Sequence, residues 1–455
     1  MALPRFPRLE VLLGSRLDDL TERHLQQVVE RASTAPVLED SDLDFKEALY
    51  GVRDEDKRSL AADIAAFANT TGGVILLGVR ESSGVAIQLA PVAFSDAEEL
   101  RMRQIIASIV APMPLIALRR VQSGESADQG VWLLAVPKSP HAPHAVRVSD
   151  GLRYYRRDGN RNRPLSESEV ADAYRDRFRT AQAQLQRVHE VHEDGVSWLD
   201  MADSAWLTIT LVPNVPATTP INERARTSAD RWSRSYADGH RADAPFRHTP
   251  RAGVGIRRLT FRDSSERGKA KGAYGELHED GAMFAATQVD WLIKSDQKRF
   301  ELEDESIVLA ALGLLRFSVE CSMLRAGTHG DAVLFASLQA LNVEGQFTVP
   351  MALGHRRREL WLEGPGSIDV FQAPTSQRTI SLNALTTSIR ERLAAVRLAL
   401  NDLFQAFGAA EVLQIGNGGV LRSKYWLAHN LQSWPSKAQA ETSELTLDEE
   451  MLQPR

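Results

Sequence analysis

The sequence predicts an α+β protein, a mixed sheet with packed helices over residues 36–179 followed by a second α/β unit of no recognisable family over 198–435. Three observations predict it. A chain of 455 residues is longer than one core requires. Hydrophobic residues at 43% and charged residues at 25% are the proportions of a globular protein. Short alternating or apolar runs are also interleaved with segments of helical period. Residues 1–35 are expected to hold a leading helix, 180–197 a helical linker and 436–455 a flexible tail.

In chain order, LDDLTERHLQQVVERA places leucine and valine at helical spacing over Leu17–Ala32. In LEDSDLDFKEAL, Leu43 and Phe45 alternate with Asp42, Asp44 and Lys46, as in a half-buried strand. A polar turn, GVRDEDKR, precedes SLAADIAAFANTTGG, where Leu60, Ile64 and Phe67 mark one helix face and Gly72 and Gly73 end it. Strand VILLGV then runs to Val79. Ser95 is a candidate cap for the helix SDAEELRMRQIIASIV, which stops near Pro112 and Pro114. Strands LIALRRV and GVWLLAV, a Pro- and His-rich loop and strand GLRYYRR follow, before Ser166 caps a long polar helix.

Past Trp198 the strands are WLTITLV, GIRRLTF and AYGELHEDGAMFAATQV. Two helices follow, one over Asp304–Leu324 and one over NALTTSIRERLAAVRLALNDLFQAF, closing at Gly408. The apolar run Ile307–Leu315 is broken by Arg316 and is too short to cross a bilayer, so it reads as a buried helix. Residues 238–252 and 436–455 are polar, unpatterned and expected to be mobile.

A formal net charge of −6 means that phosphate binding has to come from local basic patches. The single cysteine, Cys321, rules out an intrachain disulfide and a cysteine-rich zinc site, and fits a reducing compartment. The first residues lack the basic-then-apolar pattern of a secretory signal, so a cytoplasmic location with no membrane partner is expected.

Two charged stretches stand out. In LEDSDLD, strict alternation puts Asp40, Asp42 and Asp44 on one face and Glu39 on the other, so Glu39 joins them only if the strand bends or begins after it. The plain alternative is a solvated acidic edge. In GLRYYRRDGNRNRP, Arg153, Arg156, Arg157, Arg161 and Arg163 surround Tyr154 and Tyr155, with Asp158 opposing them. Arginine forks suit phosphate oxygens and tyrosine rings stack on unpaired bases, which points to RNA or single-stranded DNA as partner. The plain alternative is a hairpin balanced by Glu167, Glu169, Asp172 and Asp176. Arg53, Lys57 and Arg58 add positive charge nearby.

LDFKEAL, AFANTTGGVILLGV and YYRRDGNRNRPLSESEV, in that order, resemble the Schlafen AlbA_2 family, over about a third of the chain. The resemblance implies an AlbA_2-type mixed sheet and a bacterial regulatory or defence protein. Some Schlafen proteins are metal-dependent nucleases that cut transfer and ribosomal RNA, whereas many bacterial relatives are regarded only as binders or regulators. It also implies that Glu39, Asp44 and Glu81 are the acidic positions that hold Mg²⁺ or Mn²⁺. Asp44 stands where glutamate is commoner, and Glu81 where aspartate is. Lys46 would neutralise charge developing on phosphorus. The competing reading is a non-catalytic DNA- or RNA-binding regulator or sensor, and in either case a homodimer would supply a second lobe.

Other signals are weaker. The family's older divergent AAA label suggests ATP binding, but there is no GxxxxGK[ST], and GKAKG at 268–272 and GNGG at 416–419 are too short to serve. The histidine pairs His141 with His144 and His189 with His192 could each bind a metal, though an ordinary polar helix end accounts for the second. No GxSxG elbow supports serine catalysis.

Overall fold

The computed structural model describes residues 3–4, 6–123, 128–149, 151–201, 204–239, 245–246, 250–263, 268–294, 299–340, 351–357, 360–363, 368–422 and 425–426. The expected tail, 436–455, lies outside them. The chain divides into two compact units, Met1–Ala183 and Gln184–Arg455.

The N-terminal unit begins with α1 (Pro7–Leu13) and α2 (Glu22–Glu30), where one longer helix is expected from the pattern. Then come β1 (Leu43–Lys46), α3 (Asp54–Ala68), β2 (Gly72–Leu77), β3 (Val79–Ser82), β4 (Val85–Leu89), β5 (Val92–Ala93) and α4 (Asp96–Ile109). β6 (Val110–Ala111), β7 (Ala117–Gln122), β8 (Gln129–Pro137), β9 (Ala145–Val148), β10 (Gly151–Asp158), β11 (Arg161–Pro164) and the start of α5 (Glu167–Ser197) complete it. One sheet runs β1-β2-β8-β5 with β7 also on β8, a second runs β11-β10-β9-β6, and β3 pairs with β4.

β1 and β2 are parallel, with α3 as the crossover that parallel pairing requires. Every residue of β2 is buried. Its two faces feed different cores. Val74 and Leu76 pack with the leading helices, while Ile75 and Leu77 pack under α3 and α4. α3 starts five residues before the predicted run, because DEDKR supplies acidic groups to its first turn rather than a loop. It also ends at Ala68, so the paired glycines open β2 instead of closing the helix. Gly72 has φ +79°, and a Cβ on Gly73 would sit 2.4 Å from the Phe67 ring, so neither position tolerates a side chain. Ser95 caps α4, accepting from the Glu98 N–H at 3.0 Å.

The C-terminal unit takes the second half of α5 and continues with β12 (Ala205–Pro213), α6 (Glu223–Gly239), β13 (Arg251–Gly255), β14 (Arg258–Arg262), β15 (Ala273–His278) and β16 (Met283–Gln288). Next are β17 (Asp290–Lys294), β18 (Arg299–Glu303), α7 (Asp304–Cys321), β19 (Asp331–Ala340), β20 (Met351–Arg357) and β21 (Leu360–Glu363). β22 (Thr375–Ser381), α8 (Leu382–Thr387) and α9 (Ile389–Gln405) follow. The main sheet has the order β13-β14-β15-β16-β12-β19-β22. One face, with Leu207, Ile209 and Leu211, packs on α7 and α9, and the other, with Trp206, Phe284 and Phe335, packs on Val188 and Val191 of α5. α6 was not expected, and the predicted last helix is split at Ser388, whose hydroxyl caps α9.

α7 and its continuation, Asp304–Ala326, are helical over 23 residues, close to the expected Asp304–Leu324; by length and composition the helix could cross a bilayer, although the run Ile307–Leu315 alone was too short to do so. Two-thirds of its most apolar 18-residue window is buried, and it lies in the core of the unit. Residues 251–252, expected to be mobile, belong to β13.

Candidate functional site

The acidic run folds back on itself. Asp40 and Leu43 bond to each other across a tight turn, N–H to carbonyl in both directions at 3.0 and 3.3 Å. β1 therefore begins only after the turn, and Glu39 lies opposite Asp44 instead of on the other face. Its carboxylate accepts from the Phe45 N–H at 2.8 Å and shares a hydrogen bond with Asp44. Asp40 and Asp42 stay at the surface, paired with Arg8. Asp44 turns inward, 2% exposed, on the α3 side of β1 beside Ile75. Lys46, two residues on, donates to Asp44 at 2.6 Å.

Asp63 of α3 faces the same pocket. It is buried, accepts from the Tyr50 hydroxyl at 2.6 Å, and takes a second bond from the Asn162 amide. Burial and the nearby Asp44 push the Asp63 carboxyl above its ordinary range, while Lys46 opposes them. Burial, followed by the bond to Asp44, raises Glu39 to about 7. Burial works against the Lys46 ammonium, but Asp44 and Asp63 outweigh it and hold its pKa above the ordinary value. The pocket thus sets Glu39, Asp44 and Asp63 against Lys46, with the Arg157 guanidinium nearby on Asn162, and near neutral pH a proton on Glu39 offsets part of the negative charge.

Glu81 is placed differently. It is exposed, and its carboxylate closes the β3–β4 hairpin by accepting from the Gly84 N–H at 2.6 Å. Glu39 flanks that same glycine, 3.8 Å from where its Cβ would be. The structure therefore joins Glu39 to Asp44 and leaves Glu81 beside them on its own turn. Among the described residues, no three His, Cys, Asp or Glu side chains are grouped to hold a metal.

The arginine stretch forms the β10–β11 hairpin, in which Arg156 faces Arg163, Arg157 faces Asn162 and Asp158 faces Arg161. The pairing sorts the side chains. Arg157 and Asn162 share the inner face, whereas Tyr154, Arg156, Arg161 and Arg163 share the outer one. Arg157, expected to bind nucleic acid, is instead buried at 4% exposure. Its guanidinium lies 4.7 Å from the centre of the Phe67 ring and donates to Asn162 and to the Asp40 carbonyl. Arg163 is taken up by Glu169 at 2.7 Å, and that bond leads the effects that bring Glu169 down to about 2. Arg153, Arg156 and Arg161 are exposed and have no ion-pair partner among the described residues. Tyr154 is half-buried against Tyr174, and Tyr155 packs into the α3 core. Arg53 and Lys57 are paired with Asp56 and Asp54.

Asn69 and Thr70 of the ANTTGG turn moor this hairpin to α3. The Asn69 amide donates to the carbonyls of His144 and Tyr155 and accepts from the His144 N–H at 2.6 Å. Thr70 accepts from the Arg157 N–H at 2.9 Å. The hairpin tip lies beside the pocket, with the Asn160 amide 4.0 Å from the Gly84 Cβ position, next to Glu39. Sequence reasoning did not reach Tyr50, Asp63 and Asn162. The available signal was Asp63, a lone acid inside the otherwise apolar LAADIAAFA.

Among the described residues, neither histidine pair belongs to a group of three or more possible metal ligands. His144 is buried and lowered to about 4, mainly by burial. His192 is lowered likewise to about 4, and packs between Phe284 and Phe335 beside Thr210. Cys321 is buried, which pushes its thiol up.

The family Schlafen, AlbA_2 matches residues 39–166, the stretch that holds both the pocket and the hairpin. No curated protein matches the chain. Among solved structures, the DIP2311 protein from Corynebacterium diphtheriae is 23% identical over 32% of this chain and 30% of its own, with a TM-score of 0.23. The N-terminal domain of a protein related to the ATP-dependent DNA helicase RecG from Nitrosomonas europaea is 19% identical over 31% of this chain and 94% of its own, with a TM-score of 0.22. The chain thus spans less than a third of the first of these proteins. Residues 39–166, less than a third of the chain, thus match the Schlafen, AlbA_2 family model.

Proposed function

We propose that the N-terminal unit binds RNA or single-stranded DNA along the β10–β11 hairpin. The observation that supports this is the exposure of Arg153, Arg156 and Arg161 without acidic partners among the described residues. Unpaired guanidinium groups on one short hairpin are costly to crowd together, and phosphate oxygens are the ligands that their fork geometry matches. Backbone contacts of this kind give affinity without reading sequence.

A second reading, metal-dependent cleavage of the bound strand, is favoured by the contact between Glu39 and Asp44 next to the hairpin. Their oxygens suit Mg²⁺ or Mn²⁺, and the proton that Glu39 holds near pH 7 marks a place where positive charge is wanted. Glu39 and Asp44 would hold the ion, and Glu81, which is not grouped with them here, would join as third ligand only if the β3–β4 hairpin released it from the Gly84 N–H. When bound, such an ion polarises a phosphate and lowers the pKa of a water. Lys46 and the hairpin arginines would meanwhile hold the phosphate against the pocket.

The test incubates full-length protein with labelled transfer RNA and single-stranded DNA in Mn²⁺, Mg²⁺ or EDTA. An Asp44→Asn variant and an Arg153→Ala/Arg156→Ala/Arg161→Ala variant run alongside. Salt-sensitive binding lost in the arginine variant is the expected result. Metal-dependent cleavage lost in Asp44→Asn establishes the nuclease, and binding without cleavage establishes a regulator. No binding to either probe overturns the proposal.

A further inference from the structure

The outer face of the hairpin sheet carries apolar surface that the arginines do not explain. Strand period puts Leu152 on the same face as Tyr154 and Arg156, and Leu152 is 57% exposed. Tyr154 meets Tyr174 of α5 edge to face, with ring centres 6.2 Å apart and hydroxyls 3.2 Å apart. One helical turn beyond Tyr174, on the same side of α5, Phe178 is 69% exposed. A leucine, two half-buried tyrosines and a phenylalanine therefore lie together on the N-terminal unit. Arg156 borders them on β10, and Arg147 faces Leu152 from β9.

Exposed apolar side chains in such a group mark a surface that meets a partner. The basic border selects which partner. A protein partner would need acids to meet these arginines, whereas unpaired nucleotides offer a flat apolar base and a phosphate on the same unit. Aromatic rings stack on any base, and arginines placed alongside follow the backbone. In a duplex the bases are stacked on one another and their faces are not available.

Building on the nucleic-acid reading above, we propose that Leu152, Tyr154, Tyr174 and Phe178 form a platform on which unpaired nucleobases stack, so that the domain selects single strands over duplexes. Tyr174 and Phe178 place the first turns of α5 in the site, beyond the hairpin. The hydroxyl contact fixes the two tyrosine rings relative to each other, so the platform is set before the strand arrives.

The test measures the anisotropy of labelled single-stranded RNA, single-stranded DNA and a duplex of equal length with the full chain. Single-stranded probes carrying a base analogue that is quenched on stacking are measured in parallel. The variants are Phe178→Ala, at an exposed position where folding is not at risk, and Tyr154→Phe and Tyr154→Ala. Wild type is expected to prefer single strands and to quench the analogue. Phe178→Ala and Tyr154→Ala should each weaken single-strand binding by about 10-fold with an unchanged salt slope, while Tyr154→Phe keeps the quenching. Equal affinity for duplex and single strand, without quenching, overturns the platform but leaves the arginine-based binding standing. A Phe178→Ala protein whose oligomeric state changes while its binding does not overturns it in favour of a self-association surface. Failure of wild type to bind any probe overturns both readings. The RNA and DNA arms show which strand the platform serves.

Discussion

Arg258 in the C-terminal unit is 11% exposed at its side chain and lies between Asp194 and Glu276. Glu276 is fully buried, and it also accepts from the Tyr274 hydroxyl at 2.6 Å and contacts His278 at 3.0 Å. Arg187 nearby donates to Asp280 at 2.9 Å. Every charge in that network meets its opposite. In the N-terminal unit, Arg153, Arg156 and Arg161 are exposed without an ion-pair partner among the described residues, and the Glu39–Asp44 pair is offset by Lys46 and by a proton on Glu39. Both regions are dense in arginine and carboxylate. What separates a structural network from a candidate site is compensation, because a satisfied charge holds the fold and an unsatisfied one is available to a ligand.

The strongest way to break this contrast is Glu276→Ala. It would leave Arg258 and His278 buried with a partner removed, at a cost of about 3–5 kcal/mol by denaturant titration. A loss under about 1 kcal/mol would mean that the network is not compensated as described. Next, Asn69→Ala frees backbone groups of His144 and Tyr155 and should cost about 1–3 kcal/mol. Because the hairpin is then unmoored, RNA affinity should also fall, even under conditions where the protein remains folded.

The arginine variant Arg153→Ala/Arg156→Ala/Arg161→Ala should change stability by no more than about 0.5 kcal/mol, since it removes no ion pair seen among the described residues. Its plot of log affinity against log salt should be shallower by about 2 for single strands. A large loss of stability would show that these arginines are structural after all. The smallest effect concerns pH. Glu39 titrates at about 7 in the folded chain and near 4.5 when unfolded, so the folded state binds the extra proton between those values. Its contribution to stability is full below about 4.5, falls as pH rises and is gone above about 7. Glu39→Gln should flatten that segment of a stability–pH profile, and an unchanged slope would reassign the proton to another group.

The run AFANTTGGVILLGV was legible because each of its requirements is local. Asn69 and Thr70 end a helix, Gly72 and Gly73 permit a backbone approach that no side chain allows, and an apolar run is buried on both faces. Ser95 and Ser166 were legible as caps for the same reason: a hydroxyl there reaches an N–H three residues on. The outer and inner faces of the hairpin also followed from alternation, although which face was the interior did not.

The sequence by itself determined the helices, the caps, the buried strands and the presence of an acidic run and a basic hairpin within one domain, since all of these depend on neighbours a few residues apart. Only the tertiary structure decided which charges remain unpaired. The turn at 40–43 carries Glu39 back to Asp44. α3 brings Asp63 to a strand 17 residues earlier in the chain. Arg157 goes under the hairpin to Phe67, and Arg163 goes to Glu169. Each of these outcomes depends on how far the chain has moved between residues distant in sequence and on what it meets there. Composition and spacing do not encode that distance, and the compensation of charge depends on it.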